Sequence, residues 1–221
     1  DHRDLHSFPT RRSSDLFLAN IREVDAIVQV VRYFKDSSVV HVEWNVDPFR
    51  DIEIINTELI MSDLEQIDSK LPTLEKKAKQ KDKEAELLYP ALKKIKDFLE
   101  QWKLAYDVID ELEDKEIKAI KPYNLLTFKP FIYAFNISED ELCEAQNIKE
   151  QMQSKLNKPV AIVCAKFEAE TLDLSDEEKA EFVNDIKSSC ENPDVKIPTL
   201  DDLIWLWFDE VWLMYFFTTW E

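Results

Sequence analysis

Two short polar stretches in the second half of the chain hold residues whose types and spacing could do chemistry. Asn136-Ile137-Ser138-Glu139 directly follows the apolar run Pro130–Phe135 (PFIYAF), and Cys164-Ala165-Lys166 follows Pro159–Val163 (PVAIV). An Asn amide offers a donor and an acceptor to a purine edge, and a carboxylate three residues later accepts from exocyclic or ring nitrogens. The backbone of Ile137 adds an N–H and a C=O, Ala165 is small enough for close approach, and Lys166 has a stem that can lie along a ring face. The chemistry is that of base recognition. The same spacing also suits Asn136 as a turn residue with Glu139 in a first helical turn.

The elements that must position these loops read as an α/β arrangement. PFIYAF and PVAIV are strands, and an acidic helix is expected over Glu139–Leu156. Strand, loop, helix, strand, loop, helix is the order of a parallel sheet, whose ligands gather at the carboxyl ends of the strands. Ala26–Phe34 (AIVQVVRYF) reads as a further buried strand from its β-branched and aromatic content.

Between them, Val46, Asp47, Pro48 and Arg50 form a turn that opens a long helical stretch. Ile60, Leu64, Ile67, Leu71 and Leu74 recur at gaps of four and three, and Ala85, Leu88, Leu92, Ile95 and Leu99 repeat the seam beyond the charged tip Lys79–Glu84. The pattern predicts an antiparallel coiled-coil hairpin with arms of roughly 40 Å at 1.5 Å per residue. Pro72 and Pro90 inside the arms predict kinks. A hairpin of this kind suits a contact surface, and an ordinary helical domain fits the pattern equally.

Composition narrows the function classes. With 28 Lys+Arg against 46 Asp+Glu the net charge is −18, which argues against a general electrostatic grip on phosphate backbones. The segment Lys76, Lys77, Lys79, Lys81 and Lys83 is locally basic and reads first as a solvated helix tip, with local contact to nucleic acid as the other reading. Cys143, Cys164 and Cys190 are odd in number and lack metal-ligand spacing, so a reducing cytoplasm is expected and no disulfide framework. The three histidines form no cluster. No apolar run reaches membrane-span length, and Leu203–Phe217 reads as a buried helix followed by a strand.

Several longer stretches carry a family resemblance. Phe17–Ala26 (FLANIREVDA), His41–Pro48 (HVEWNVDP), Arg50–Leu59 (RDIEIINTEL), the Asn136-x-x-Glu139 loop, Ala165-Lys166 with Phe167-Glu168-Ala169-Glu170, and Tyr215–Thr219 together resemble the YchF family of Obg-related ATPases. The match runs through residues 17–221. It implies a partial GTPase-like parallel sheet with an inserted coiled-coil hairpin: residues 17–50 and 123–221 in the nucleotide-binding α/β domain, 51–122 in the insertion, and a small TGS domain expected beyond Glu221. In this family Asn-x-x-Glu replaces the Asn-Lys-x-Asp of ordinary GTPases, and an Asp there suits guanine donors, so the resemblance implies ATP. It carries Asn136, Ile137, Glu139, Cys164, Ala165 and Lys166 into base binding, with Cys164 where the family commonly has Ser.

The resemblance further implies the ribosome as partner, while cysteine usage predicts a cytoplasmic location and the hydropathy and charge of the chain predict neither membrane association nor sequence-specific nucleic-acid binding. The phosphate loop with its Lys and Ser/Thr, and the Mg-binding switch segments, are expected before Phe17. Residues 17–221 therefore provide no catalytic or metal residue and are expected not to hydrolyse ATP alone. The competing class is a non-enzymatic interaction module using the hairpin, favoured by a start codon near Phe17 rather than an upstream phosphate loop.

The chain has no glycine and six tryptophans, where about 15 glycines are usual for this length. Trp44, Trp102, Trp207, Trp212 and Trp220 fall where the family typically carries Gly, as in HVEG-x-VDP. Some bacterial codes read UGA as glycine and others as tryptophan, so these residues are expected to be mis-decoded glycines. His6–Leu16 (HSFPTRRSSDL) resembles a translated sequencing-adapter oligonucleotide, so residues 1–16 are read as a non-native leader outside the fold.

Overall fold

The computed structural model describes residues 11–35 and 46–211. These divide into two compact units, one made of the residues up to Ile27 with Glu53–Pro130, the other of Val28–Ile52 with Phe131 onward.

The second unit holds a sheet of three strands in the order β1-β2-β3: β1 (Ile27–Arg32), β2 (Phe131–Asn136) and β3 (Val160–Val163). The strands are parallel, as the alternation of strands and helices predicts. Tyr133 pairs with Val160 and Asn136 with Val163, and Asn136 O accepts from Tyr33 N at 2.9 Å on the other side. The first five residues of β2 and all four of β3 are buried. Strands so covered read as continuous apolar runs rather than alternating ones.

Ile132, Ala134, Ala161 and Val163 form one core cluster, with Val28, Leu203, Leu206 and Trp207 packed against it. Burying a side chain of Ile size contributes about 1.5–3 kcal/mol. The expected helix over Glu139–Leu156 is in fact a 3-10 turn, Glu139–Glu144, followed by α5 (Ala145–Leu156), which buries Ala145, Ile148 and Met152. The helices α6 (Ala165–Thr171), α7 (Asp176–Ser189) and α8 (Leu200–Glu210) follow β3.

The expected buried helix after Leu203 is corrected. No residue of α8 is fully buried, and Ile204 and Trp205 are exposed, because only the face carrying Leu203, Leu206 and Trp207 packs on the sheet. The strand expected after it lies outside the described residues.

The first unit is helical. Asp47 caps the start of α2 (Pro48–Lys79), accepting from Phe49 N and Arg50 N at 3.2 Å, and α2 continues through this unit. A turn leads to α3 (Lys83–Leu99), whose N-cap Asp82 accepts from Ala85 N. Both helices continue through Pro72 and Pro90, each on an exposed face where the missing N–H and the ring meet solvent. The predicted seam is largely buried, with Ile60, Ile67, Leu74, Ala85, Leu88, Leu92, Ile95 and Leu99 in the core, and Lys96 reaches Asp68 at 2.7 Å between the helices.

One charged residue of α2 is inside. Asp63 is fully buried and accepts from Arg22 Nη1 (3.0 Å), Leu126 N (3.0 Å), Thr127 N (2.7 Å) and Thr127 Oγ1 (2.7 Å). Arg22 closes α1 (Arg11–Arg22) and also donates to Ser62 Oγ at 2.7 Å and Asn124 O at 3.2 Å. The backbone of residues 11–16 is helical and continues into FLANIR. Beyond α3, a 3-10 turn (Ala105–Glu111) and α4 (Asp114–Ile120) complete the unit.

Among the described residues four have a left-handed backbone: Lys81, Trp102, Asn124 and Asn157. Asn tolerates this region, but for a bulky residue it is an outlier. Trp102, at φ 60°, is 61% exposed. Trp207, in contrast, sits inside α8 and packs on the sheet. Trp44, Trp212 and Trp220 lie outside the described residues.

Two stability measurements follow. Asp63→Ala leaves Leu126 N and Thr127 N and Oγ1 without their acceptor and Arg22 without its carboxylate, and should lower unfolding free energy by about 3–5 kcal/mol; a urea midpoint within experimental error of the parent would exclude the carboxylate as an organising group. Trp102→Gly relieves the left-handed cost and should raise stability by about 1 kcal/mol, whereas Trp207→Gly should lower it; a loss at both positions would mean that residue 102 is not held left-handed.

Candidate functional site

The two polar loops sit at the carboxyl ends of adjacent parallel strands. Asn136 is the last residue of β2, and its side-chain Oδ1 accepts from Ala165 N at 3.0 Å. Ile137 N donates to Val163 O at 2.9 Å, extending the ladder one step past the strand. Glu139 and Lys166 form an ion pair between the loops, and Lys166 lies 3.7 Å from Glu170 as well. The hydrogen bond that Lys166 donates to Glu139 is the main cause that raises its ammonium above the ordinary value. All six sequence-predicted residues thus come together at one sheet end.

Their exposures differ. Ile137 and Cys164 are buried, Asn136 and Glu139 are half-buried, and Ala165 and Lys166 face solvent. Burial pushes the Cys164 thiol up, keeping it protonated at neutral pH. With its oxygen held by Ala165, Asn136 has its amide nitrogen left to donate. The carboxylate of Glu139, paired with the exposed Lys166, is an acceptor with a second lone-pair direction for a ring donor.

The loop after β2 is shaped by a box that sequence reasoning passed over. Ser138 N donates to Glu141 Oε2 at 2.8 Å and Ser138 Oγ bonds the same oxygen at 2.9 Å. The signal was present as Ser-x-x-Glu, the pattern in which a cap and the third helical residue satisfy one another. Glu139 takes the first position of the 3-10 turn, with Ser138 rather than Asn136 as its cap. After β3, Glu168 accepts from Leu200 N at 2.7 Å and ties α6 to the start of α8.

The cysteines overturn the expectation of unpaired thiols. Cys143, in the turn after the first loop, and Cys190, at the end of α7, form a disulfide across 47 residues of sequence. Neighbouring strands bring their following segments together, a proximity that sequence spacing does not display. Among the described residues no group of His, Cys, Asp or Glu is arranged to hold a metal ion, and no helix is long and apolar enough to cross a membrane.

A cleft of about 340 Å³ in the same unit lies at the amino end of β3, lined by Lys149, Gln153, Lys158 and Glu210. It is at the wrong end of a parallel sheet for the loops. Burial lowers the Lys158 ammonium there and raises the Glu210 carboxyl.

No protein-family model matches the chain. It is 41% identical over 176 residues, 77% of its length, to the protein of Bacillus subtilis named ribosome-binding ATPase YchF. The protein of the same name from Mycoplasma pneumoniae is 34% identical over 198 residues, 86% of the chain. The chain belongs to the YchF family. The solved structure of the Schizosaccharomyces pombe YchF GTPase superposes with a TM-score of 0.69 at 27% identity, covering 88% of this chain and 52% of that one. The matches cover 47% of the Bacillus protein and 54% of the Mycoplasma protein, so this YchF-family chain spans about half the length of these relatives.

Thiol counting tests the cysteine assignment. Denatured without reductant, the chain should take up one equivalent of iodoacetamide, at Cys164, and three after reduction; in the folded protein Cys164 should stay unmodified at pH 7. Three equivalents before reduction would remove the disulfide.

Proposed function

We propose that this chain is the base-reading and partner-contacting portion of a YchF-type ATPase that works on the ribosome. The observation that carries the reading is the joining of the two polar loops, Asn136 to Ala165 and Glu139 to Lys166, at the carboxyl ends of β2 and β3. The names of the relatives support ATP and the ribosome.

The residues fit an adenine base. The Asn136 amide nitrogen donates to a ring acceptor, Glu139 accepts from the exocyclic amine, the open position at Ala165 allows the ring edge close to the backbone, and the Lys166 stem covers a face. Glu139 in place of Asp disfavours guanine by shifting the carboxylate from the N1–H and amino donors that a shorter side chain would meet. These 221 residues, without glycine, offer no glycine-rich phosphate loop, and the family's Mg-binding switch segments are expected before Phe17. The 221 residues alone are therefore read as binding without turnover. Bound ATP supplies a phosphoryl group whose transfer is not performed by these side chains. The long helices α2 and α3 are read as an antiparallel coiled-coil arm for docking.

Equilibrium titration with fluorescent adenosine and guanosine derivatives tests the base reading. Adenosine should bind more tightly, and Glu139→Asp should move the adenine-to-guanine ratio toward guanine by about tenfold, the effect of one hydrogen bond of 1.4 kcal/mol. A parent chain preferring guanosine, or a ratio unmoved by the substitution, would overturn it.

A further inference from the structure

The turn between α2 and α3 carries a charge opposite to the rest of the protein. Residues 76–83 (KKAKQKDK) hold five lysines and one carboxylate, a net charge of +4 in a chain of net −18. All five lysines are exposed. Lys79 is paired with Glu75 at 2.7 Å, whereas Lys76, Lys77, Lys81 and Lys83 make no ion pair among the described residues. The one acid within the segment, Asp82, is engaged in capping α3 through Ala85 N at 2.9 Å.

Helix electrostatics account for only part of this cluster. Lys76, Lys77 and Lys79 lie in the last turn of α2, where cations oppose the negative end of the helix dipole. Lys81 lies beyond that turn, and Lys83 opens α3, at a helix start where a cation is disfavoured. Lys81 is held left-handed at φ 63°, by bonds from its own N–H to Ala78 O and from Asp82 N to Lys77 O. The turn thus fixes the backbone while four ammonium groups are left to solvent.

We propose that this tip is an RNA-backbone contact, which docks on the phosphates of structured RNA without reading its sequence. The tip has no aromatic or large apolar residue to act as a protein hot spot, its apolar content being Ala78 alone. Lysines serve phosphate as point charges and carry no base preference. The acidic remainder is repelled by RNA, so the attraction is confined to the tip and orients the approach. The inference rests on the ribosome reading for its biological partner and stands on the tip's own charge for its chemistry.

The test uses the 221-residue chain, a variant K76Q/K77Q/K81Q/K83Q, and a control K35Q/K70Q/K118Q/K121Q that removes the same charge from other exposed positions. Binding to a fluorescent RNA hairpin is followed by anisotropy across a salt series, and ribosome binding by co-sedimentation. The tip variant should lose at least tenfold in RNA affinity and lower the salt slope by about three, near one per lysine, while the control stays near the parent.

RNA and ribosome binding both lost in the tip variant alone supports the proposal. Tip-dependent RNA binding without co-sedimentation supports the contact and removes the ribosome as its partner. Co-sedimentation unchanged in the tip variant, absent RNA binding by the parent, or equal losses in both variants overturns it, and the first of these leaves the ribosome reading standing. Co-sedimentation that is tip-dependent yet survives RNase trimming of exposed RNA, with no hairpin binding, would assign the lysines to an acidic protein and also overturn it.

Discussion

Asp63 sits on α2 between the buried Ile60 and Ile67, and it is the point on which the helical unit depends. A buried carboxylate is tolerated only when paired and fully hydrogen-bonded. Asp63 meets that demand by drawing donors from two distant stretches, Arg22 at the end of α1 and Leu126 and Thr127 beyond α4. The same region is tied again by Gln66 to Tyr123 O at 2.7 Å and by Lys129 to Arg22 O at 3.0 Å. Four residues after Thr127 the chain enters β2, so the segment that the carboxylate fixes is the lead-in to the strand that ends in Asn136.

At that end the site is organised by polarity more than by enclosure. Ala165 and Lys166 are open to water, so the proposed base reading rests on the direction of hydrogen bonds rather than on burial of a ligand. The Asn136 oxygen bonds Ala165 N, which makes this residue a hinge pin between loops and leaves it a one-sided donor. Glu139 is half-buried and its charge is met by the exposed Lys166, which holds the carboxylate in place. The disulfide from Cys143 to Cys190 joins the segments that follow the two loops, complementing the Phe167–Phe182 stack between α6 and α7.

What could be read in the sequence was what repeats. The seam from Ile60 to Leu99 and the runs PFIYAF and PVAIV declare themselves because burial imposes a period or a continuous apolar stretch. The loop residues at the strand ends were legible because topology, given parallel strands, puts strand termini side by side. Asp63 was not, since it lies next to Leu64 in a charged helix and nothing in its neighbours marks it as inside. The disulfide was equally hidden, because contact between Cys143 and Cys190 is a property of strand order. The apolar run from Leu203 misled for the opposite reason: α8 is apolar around much of its surface, but a helix on a sheet can bury only one face.

Helix ends show how a glycine-free chain solves a problem that glycine usually solves. Both α2 and α3 stop in the same bonded pattern: Lys81 N to Ala78 O with Asp82 N to Lys77 O, and Trp102 N to Leu99 O with Lys103 N to Phe98 O. This is the Schellman arrangement, in which the residue after the cap turns left-handed and is most often Gly. After α5 the same left-handed conformation falls to Asn157, and after the 3-10 turn at Lys121–Tyr123 to Asn124, residues whose short polar side chains accept it. Lys81 and Trp102 have no such tolerance. At Lys81 the unbranched side chain extends into solvent, while at Trp102 an indole is held out into water, so neither packing nor solvation offsets the backbone cost. The hydrogen bonds of the surrounding helix end therefore dictate a conformation that the residue itself opposes, and position 102 is a glycine site by geometry whatever residue occupies it.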